Sequence, residues 1–195
     1  MLDFDSLKTK LIMVIVGVSV ASTVCIGGYF IHRFIQENDE QLQGYRADLE
    51  RSVEFSLKGE TEVAISILQE AYKRQQAGEI TEEEAQTTAA DFVRELRYDN
   101  GVGYFWIDTT AGVNVVLLGR DTEGKSRIGL TDPTGKPFIK EMIENGMKDG
   151  GGFTDLMFAK PNETTPLPKR NYTVLFKPWG WVIGTGVWID EIDSQ

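Results

Sequence analysis

Residues 176–190 read FKPWGWVIGTGVWID, and this stretch decides the fold. It predicts a strand, a tight turn at 178–180 and a second strand at 181–188. Proline opens the turn, and glycine accepts the positive φ that closes it. The second strand is apolar along nearly its whole length, as is typical of a strand buried on both faces. Gly184 and Gly186 share one face, and the sequence leaves open whether they make room for packing or form the floor of a ligand site.

Composition excludes several classes of function. The chain has 195 residues, 41% of them apolar and 26% charged, which suits one globular domain with an extra element. Its formal net charge of −10 argues against a nucleic-acid partner, which would require a basic face. Cys25 and His32 are the only cysteine and histidine, so a multi-cysteine zinc site and most histidine-based catalytic designs are excluded. We therefore expect a non-enzyme with no cofactor and no metal.

The N-terminal stretch 11–30, LIMVIVGVSVASTVCIGGYF, carries no charge and is long enough to cross a bilayer as a helix. We predict a transmembrane helix at 11–31, a short cytoplasmic segment at 1–10 and an extracytoplasmic domain at 32–195. Lysines on the N-terminal side favour this orientation. A cleaved signal peptide is the alternative, although its apolar core is normally shorter and is followed by a recognisable cleavage site.

Helical periodicity follows over residues 35–97. Apolar residues from Leu42 to Ala71 recur at steps of three, four or seven. Gly78 ends this helix, and TEEE at 81–84 has the Thr-x-x-Glu spacing of a capping box that starts a second helix. The first helix is too long to be buried on one small domain. We therefore expect it to meet a partner helix in a homodimer, in addition to the membrane.

The remainder, 98–190, alternates apolar runs with turn residues and predicts an antiparallel sheet. An amphipathic helix at 138–148 interrupts it. The predicted strands lie at 102–108, 113–118, 153–158, 170–177 and 181–188. The fold class is therefore α+β: an N-terminal transmembrane helix running into a long helix, followed by a five-stranded antiparallel sheet with flanking helices.

An arginine and two aromatic side chains come together at the start of the first strand. Tyr104 and Trp106 share one face of it, and Arg97 precedes them. Two rings beside an arginine can box a small anion, because the guanidinium grips a carboxylate while the rings exclude water. The alternative is that the rings belong to the core and that Arg97 caps its helix through the helix dipole.

Two basic segments are further candidates. KRNY at 169–172 ends a long loop where it meets a strand, a common position for binding groups. The loop at 119–129 carries Arg120, Lys125 and Arg127, and its GRDTEGKS formally matches the Walker A pattern. A phosphate-binding loop leads into a helix at its Lys-Ser pair, whereas the IGLTDP that follows here cannot continue one. We therefore reject nucleotide hydrolysis.

Segments spread along the chain together resemble a known family. In order and spacing they are similar to the single Cache domain, the extracytoplasmic ligand-binding domain of many bacterial methyl-accepting chemotaxis receptors and some sensor kinases. The resemblance covers about residues 35–193 and implies a PAS-like five-stranded sheet behind a membrane-connected helix, with a pocket for small molecules such as short-chain carboxylates. The segments are ELRYDNGVGYFWID at 95–108, DPTGKPF at 132–138, GGGFTDLMFAKP at 150–161, PLPKRNY at 166–172 and PWGWVIGTGVWIDEI at 178–192.

The resemblance also implies a set of pocket residues. Many members carry a His-Pro pair at the end of the second strand, where this chain reads VVLLGR at 115–120. Either Arg120 compensates for that pair, or the ligand differs. The predicted ligand-binding residues are Arg97, Tyr104, Trp106, Arg120, Lys169 and Tyr172.

We therefore predict a sensor anchored in the cell membrane that binds an organic acid anion outside the cytoplasm. Binding is expected to shift the long helix and to signal to a chemotaxis-type output. Two alternatives stay open: the sensor region of a histidine kinase or other signalling protein, and a ligand-free accessory module. In the family a second membrane helix follows the equivalent of residues 190–193. The chain is therefore expected to be either a fragment or a receptor without its own output.

Overall fold

The computed structural model describes residues 4–161 and 163–189, and it confirms the predicted α+β class. Residues 190–193, where we expected the chain to turn toward a second membrane helix, lie outside the described residues. The helices are α1 (Phe4–Gln76), α2 (Glu82–Glu95) and α3 (Phe138–Gly146), and the strands are β1 (Arg97–Tyr98), β2 (Gly103–Thr109), β3 (Asn114–Leu117), β4 (Gly152–Ala159), β5 (Pro166–Phe176) and β6 (Trp181–Trp188).

The chain divides into two units, Met1–Asp48 and Leu49–Gln195. The described residues of the first unit are helical, and their large apolar side chains are exposed, as at Val14 and Phe30. Near the N-terminus α1 contains a window with a mean hydropathy of 2.3, which is long and apolar enough to cross a membrane. The boundaries 1–10, 11–31 and 32–195 stay predictions.

The second helix ends two residues before its predicted bound. We expected helix through residue 97, but α2 ends at Glu95 because Leu96 is extended, with φ −63° and ψ 130°. Arg97 and Tyr98 then pair with Tyr104 and Gly103 to form β1. The start of the same helix is as predicted: Thr81 and Glu84 form a capping box.

The sheet has six strands rather than the predicted five. The strands follow the order β1-β2-β6-β5-β4, and all of these pairs are antiparallel. Strand β3 also pairs with β2, further along β2 than the two residues that pair with β1. The extra strand is β1, and two residues are too few to show a period of two in the sequence. The hairpin of β5 and β6 is close to its prediction: a 3₁₀ turn at Lys177–Trp179 is closed by Gly180 at φ 62°, and β6 follows.

Apolar side chains form one core on each face of the sheet. Alternation along β2 sends Phe105 and Ile107 to the core with α1 and α2, and it sends Tyr104 and Trp106 to the core with α3. The predicted sharing of one face by Tyr104 and Trp106 is confirmed. The aromatic face of β2 therefore looks toward α3.

Gly184 and Gly186 make room for neighbouring side chains. A β-carbon at residue 184 would lie 2.8 Å from Cζ2 of Trp106. A β-carbon at residue 186 would lie 1.8 Å from Oδ1 of Asn171, so any larger residue would have to displace that amide. The packing interpretation of both glycines is confirmed.

Candidate ligand-binding site

A small cavity lies between the sheet and α3, with a volume of about 20 Å³. A single water needs roughly 10–15 Å³ by the same measure, so the free space is that of one or two waters. Aromatic and aliphatic side chains form most of the wall, and three polar side chains interrupt it in addition to a tyrosine hydroxyl. The lining residues are Tyr104, Trp106, Leu117, Arg127, Phe138, Met142, Leu156, Phe158, Lys169 and Asn171.

Lys169 is the most unusual member of this wall. Its side chain is almost fully buried, with a relative exposure of 2%, and its ammonium is surrounded by aromatic rings. Nζ lies 4.1 Å from the ring centroid of Trp188 and 4.5 Å from that of Tyr104. The ring centroids of Trp106 and Phe158 follow at 5.4 Å and 5.5 Å. Ring faces attract a cation within about 6 Å.

The ammonium of Lys169 has no carboxylate partner in the described part of the chain. To the described residues it donates one hydrogen bond, to Oη of Tyr104 at 3.1 Å. Burial, and then the charge of Arg120, lower the pKa of Lys169 to about 7. A buried charge without a counter-ion is costly.

Tyr104 can supply a second contact to an anion. Burial raises the pKa of its hydroxyl, although Arg120 and Arg127 oppose the rise, so the hydroxyl keeps its proton. Its oxygen accepts the hydrogen bond from Lys169, which leaves its own O–H to donate. Lys169 and Tyr104 therefore present two donors to the same small space.

A buried ion pair forms another part of the wall. Nε of Arg127 donates to Oδ1 of Asp108 at 3.1 Å, and Nη2 donates to Oδ2 at 2.5 Å. Burial raises the pKa of Asp108, and the bidentate contact with Arg127 opposes that rise. Because Asp108 balances Arg127, Lys169 is the one lining residue whose positive charge has no partner in residues 4–161 and 163–189.

The structure brings three of the six predicted site residues together in the cavity: Tyr104, Trp106 and Lys169. Arg97 and Arg120 are exposed and line a separate surface depression, which Tyr104 also borders. Nη1 of Arg97 donates to the carbonyl oxygens of Arg94 and Leu96, both at 2.7 Å. This geometry agrees with the alternative in which Arg97 caps the end of α2.

Tyr172 lies on the other face of β5, and its predicted place in the pocket is corrected. Residues 169 and 171 face the cavity, so the strand period of two turns residue 172 away. Its hydroxyl donates to the carbonyl of Gly150, and its ring lies 5.0 Å from Phe153 and 5.9 Å from Nζ of Lys58.

Asn171 and Arg127 belong to the two basic candidate segments but were not among the predicted ligand-binding residues, and sequence reasoning missed Trp188. Asn171 could have been found from Lys169, because it lies two residues further along the same strand face. Trp188 pairs with Lys169 in the β5–β6 register, which the sequence does not reveal. Arg127 was noticed only as a loop residue, since nothing in the sequence connects it with Asp108. The described residues contain no group of three or more His, Cys, Asp or Glu side chains placed to hold a metal ion.

A long helix behind an antiparallel PAS-like sheet, with a small cationic and aromatic cavity on the opposite face, defines a ligand-binding sensor domain. Residues 49–195 match the family model of single Cache domain 2, and the chain belongs to this family. The resemblance read from the sequence is confirmed.

Known relatives agree with this assignment. The methyl-accepting chemotaxis protein McpP of Pseudomonas putida is 33% identical over 121 residues, which cover 61% of this chain and 22% of McpP. The sensor histidine kinase MctS of Rhizobium johnstonii is 27% identical over 191 residues, 97% of this chain and 40% of MctS. The chain thus spans less than half the length of these two relatives. A solved Cache chemosensory domain, described for carboxylic acid recognition, superposes with a TM-score of 0.70 at 31% identity over 73% of this chain and 97% of that one.

Proposed function

We propose that this chain is the extracytoplasmic sensor region of a bacterial signalling protein and that its cavity binds a small monocarboxylate. The observation that carries the proposal is the buried ammonium of Lys169, which has aromatic rings on several sides and no acidic partner among the described residues. A ligand carboxylate would supply the missing charge and accept hydrogen bonds from Lys169 and Tyr104. The solved relative described for carboxylic acid recognition supports this ligand class.

The charge and the volume of the cavity limit which acids it can bind. The ion pair of Arg127 with Asp108 is internally balanced, so the wall offers one uncompensated positive charge to one negative charge. A dicarboxylate would bring a second charge into a site without a partner for it. The volume of about 20 Å³ favours the shortest acids, such as acetate, and longer chains would have to displace Met142 or Leu156.

Arg97 and Arg120 remain part of the proposal as outer contacts. Both residues line the depression beside Tyr104, outside the cavity. On a chain with a net charge of −10, two local positive charges raise the concentration of anions at this point of the surface.

The membrane anchor and the dimer are proposed from α1, and the type of signalling protein is proposed from the relatives. We propose that the apolar part of α1 anchors the domain in the membrane and that two copies pair along α1, where Phe55 has a relative exposure of 82% and Val63 one of 59%. McpP supports a chemotaxis receptor as the complete protein. The match to MctS over 97% of this chain supports a sensor kinase as the second candidate.

Calorimetric titration of the full chain, purified in mild detergent, tests the ligand class. Acetate, propionate and succinate form the panel, and Lys169→Met is compared with Lys177→Met, which removes an exposed lysine of the same domain. We expect the monocarboxylates to bind the unmodified chain and the Lys177 variant alike, and to lose at least about tenfold in affinity in the Lys169 variant. If both variants bind the acids equally, or if no acid binds, the proposal is contradicted.

A further inference from the structure

The surface depression beside the cavity is large enough to hold a ligand of its own. Its volume is about 320 Å³, within the range of roughly 300–1,000 Å³ that is typical of small-molecule sites. Tyr104 borders both spaces, but the cavity has room for only one or two waters. Two arginines and three apolar residues also line the depression: Arg97, Arg120, Val102, Leu118 and Pro161.

Arg120 brings a positive charge that nothing in residues 4–161 and 163–189 pairs. Its side chain is exposed and makes no hydrogen bond or ion pair with those residues. Asp121 and Glu123 lie in the same loop, but neither forms an ion pair with it. Glu123 instead accepts a hydrogen bond from Nε of Arg94 at 3.0 Å and bonds to two backbone N–H groups. The guanidinium of Arg120 is therefore free to turn toward a ligand.

Arg97 is held at one nitrogen and open at the others. Its Nη1 donates to the carbonyl oxygens of Arg94 and Leu96 at the end of α2, both at 2.7 Å. Its Nε and Nη2 form the edge of the guanidinium that can grip a carboxylate bidentately. The carbonyl end of a helix carries a partial negative charge, which offsets part of the charge of Arg97. The excess charge at the depression therefore suits a ligand with one negative charge.

The apolar residues give the depression a second chemical character. Val102 has a relative exposure of 46%, and Leu118 is half-buried. Leu118 is also held at φ 57°, a conformation that a bulky residue rarely adopts. Such backbone outliers cluster at ligand-binding sites. Apolar surface next to free guanidinium groups suits an anion that has an apolar body, because each part of the ligand then meets its own kind of surface.

We propose that this depression is a second ligand site, separate from the cavity, that binds an aromatic monocarboxylate such as benzoate. The carboxylate would accept hydrogen bonds from Arg120 and from the open edge of Arg97. The ring would cover Val102, Leu118 and Pro161 and bury their exposed surface. A six-membered ring does not fit a space of one or two waters, so size alone directs this ligand to the depression. The inference does not depend on an acid binding to Lys169.

Calorimetric titration of the full chain in mild detergent with benzoate tests the inference. Arg120→Gln is compared with Lys125→Gln, which removes an exposed charge from the same loop. Heat from benzoate entering the detergent is common to both variants, so the difference between them reports the site. We expect Arg120→Gln to weaken benzoate binding by about tenfold and Lys125→Gln to change it by less than about twofold. Val102→Ser, which removes apolar surface, should weaken it by about threefold.

Two further ligands separate the contributions of charge and ring. Benzyl alcohol keeps the ring without the carboxylate, and inorganic phosphate keeps an anion without the ring. We expect both to bind at least about tenfold more weakly than benzoate. Phosphate binding as tightly as benzoate would overturn the choice of an apolar body. Benzyl alcohol binding as tightly would overturn the role of the arginines.

Lys169→Met distinguishes this site from the cavity. We expect the variant to bind benzoate like the unmodified chain, because Lys169 does not line the depression. Benzoate binding that is lost in Lys169→Met and kept in Arg120→Gln would place the acid in the cavity and overturn the second site. Absence of benzoate binding by the unmodified chain would also overturn it, and would leave the binding of acetate in the cavity unaffected.

Discussion

Lys169 and Arg170 are consecutive residues of β5, and their side chains leave opposite faces of the sheet. Lys169 enters the cavity, whereas Nη1 of Arg170 lies 3.3 Å from Oε1 of Glu54 in α1. Arg170 also holds Asp155 of β4 in a bidentate contact, with distances of 2.8 Å and 3.0 Å. A ligand that moves Lys169 therefore acts on a strand whose next residue is attached to α1, which gives a physical route for the proposed signal.

Arg170→Gln is expected to uncouple the cavity from α1. Acetate should still bind, because Arg170 does not line the cavity, but the ligand-induced change in hydrogen exchange over residues 49–76 should be lost. Arg74→Gln is the control, since it removes an exposed α1 ion pair, with Glu79, that is unconnected with β5. An unchanged exchange response in the Arg170 variant would show that the signal takes another route.

Ligand affinity should depend on pH through Lys169. Its pKa of about 7 in the free protein means that the lysine is largely neutral above that value, whereas an anion binds the charged form. Binding above pH 7 must therefore take up a proton, and affinity should fall by about tenfold for each further pH unit. Titrations between pH 6 and 9, in buffers of different ionisation enthalpy, measure both effects; a flat profile would contradict the assignment.

Lys169→Met should stabilise the ligand-free protein at pH 7. The substitution replaces a buried, unpaired ammonium by an apolar side chain of similar length, for which we expect a gain of about 1–2 kcal/mol. The lysine binds fewer protons in the folded state than in the unfolded state between pH 7 and its ordinary value of 10.5, so the unmodified protein should become more stable as pH rises through this interval. Chemical denaturation across that range should show the slope for the unmodified chain and a weaker one for the variant.

Removing Arg127 from its ion pair with Asp108 should destabilise the protein, in contrast to Lys169→Met. Arg127→Met leaves a buried carboxylate without its partner, and we expect a loss of about 3–5 kcal/mol in unfolding free energy. Adding Asp108→Asn removes that stranded charge and should recover part of the loss. A double variant less stable than the single one would show that the pair is not balanced as described.

Most of the fold could be predicted from regular patterns in the sequence. The amphipathic helices, the capping box at Thr81 and the β5–β6 hairpin each express their structure within a few consecutive residues, so local patterns were sufficient. The two-residue strand Arg97–Tyr98 has no such pattern, because its extended form depends on pairing with Gly103 and Tyr104.

The candidate site was only partly predictable for a related reason. Tyr104 and Trp106 come from strand alternation, and Lys169 from the basic segment at 169–172 and from the family resemblance. Tyr172 was misplaced because the face of β5 was not worked out from Lys169, although a period of two would have separated them. The contacts that define the cavity join residues far apart in sequence, such as Arg127 with Asp108 and Lys169 with Trp188. No local pattern encodes these contacts.

A crystal structure of the chain with a bound short carboxylic acid tests the central claim most directly. We expect one carboxylate oxygen within about 3 Å of Nζ of Lys169 and another within hydrogen-bond distance of Oη of Tyr104. A carboxylate held instead by Arg97 and Arg120 in the outer depression, with Lys169 still without an anion, would contradict the account.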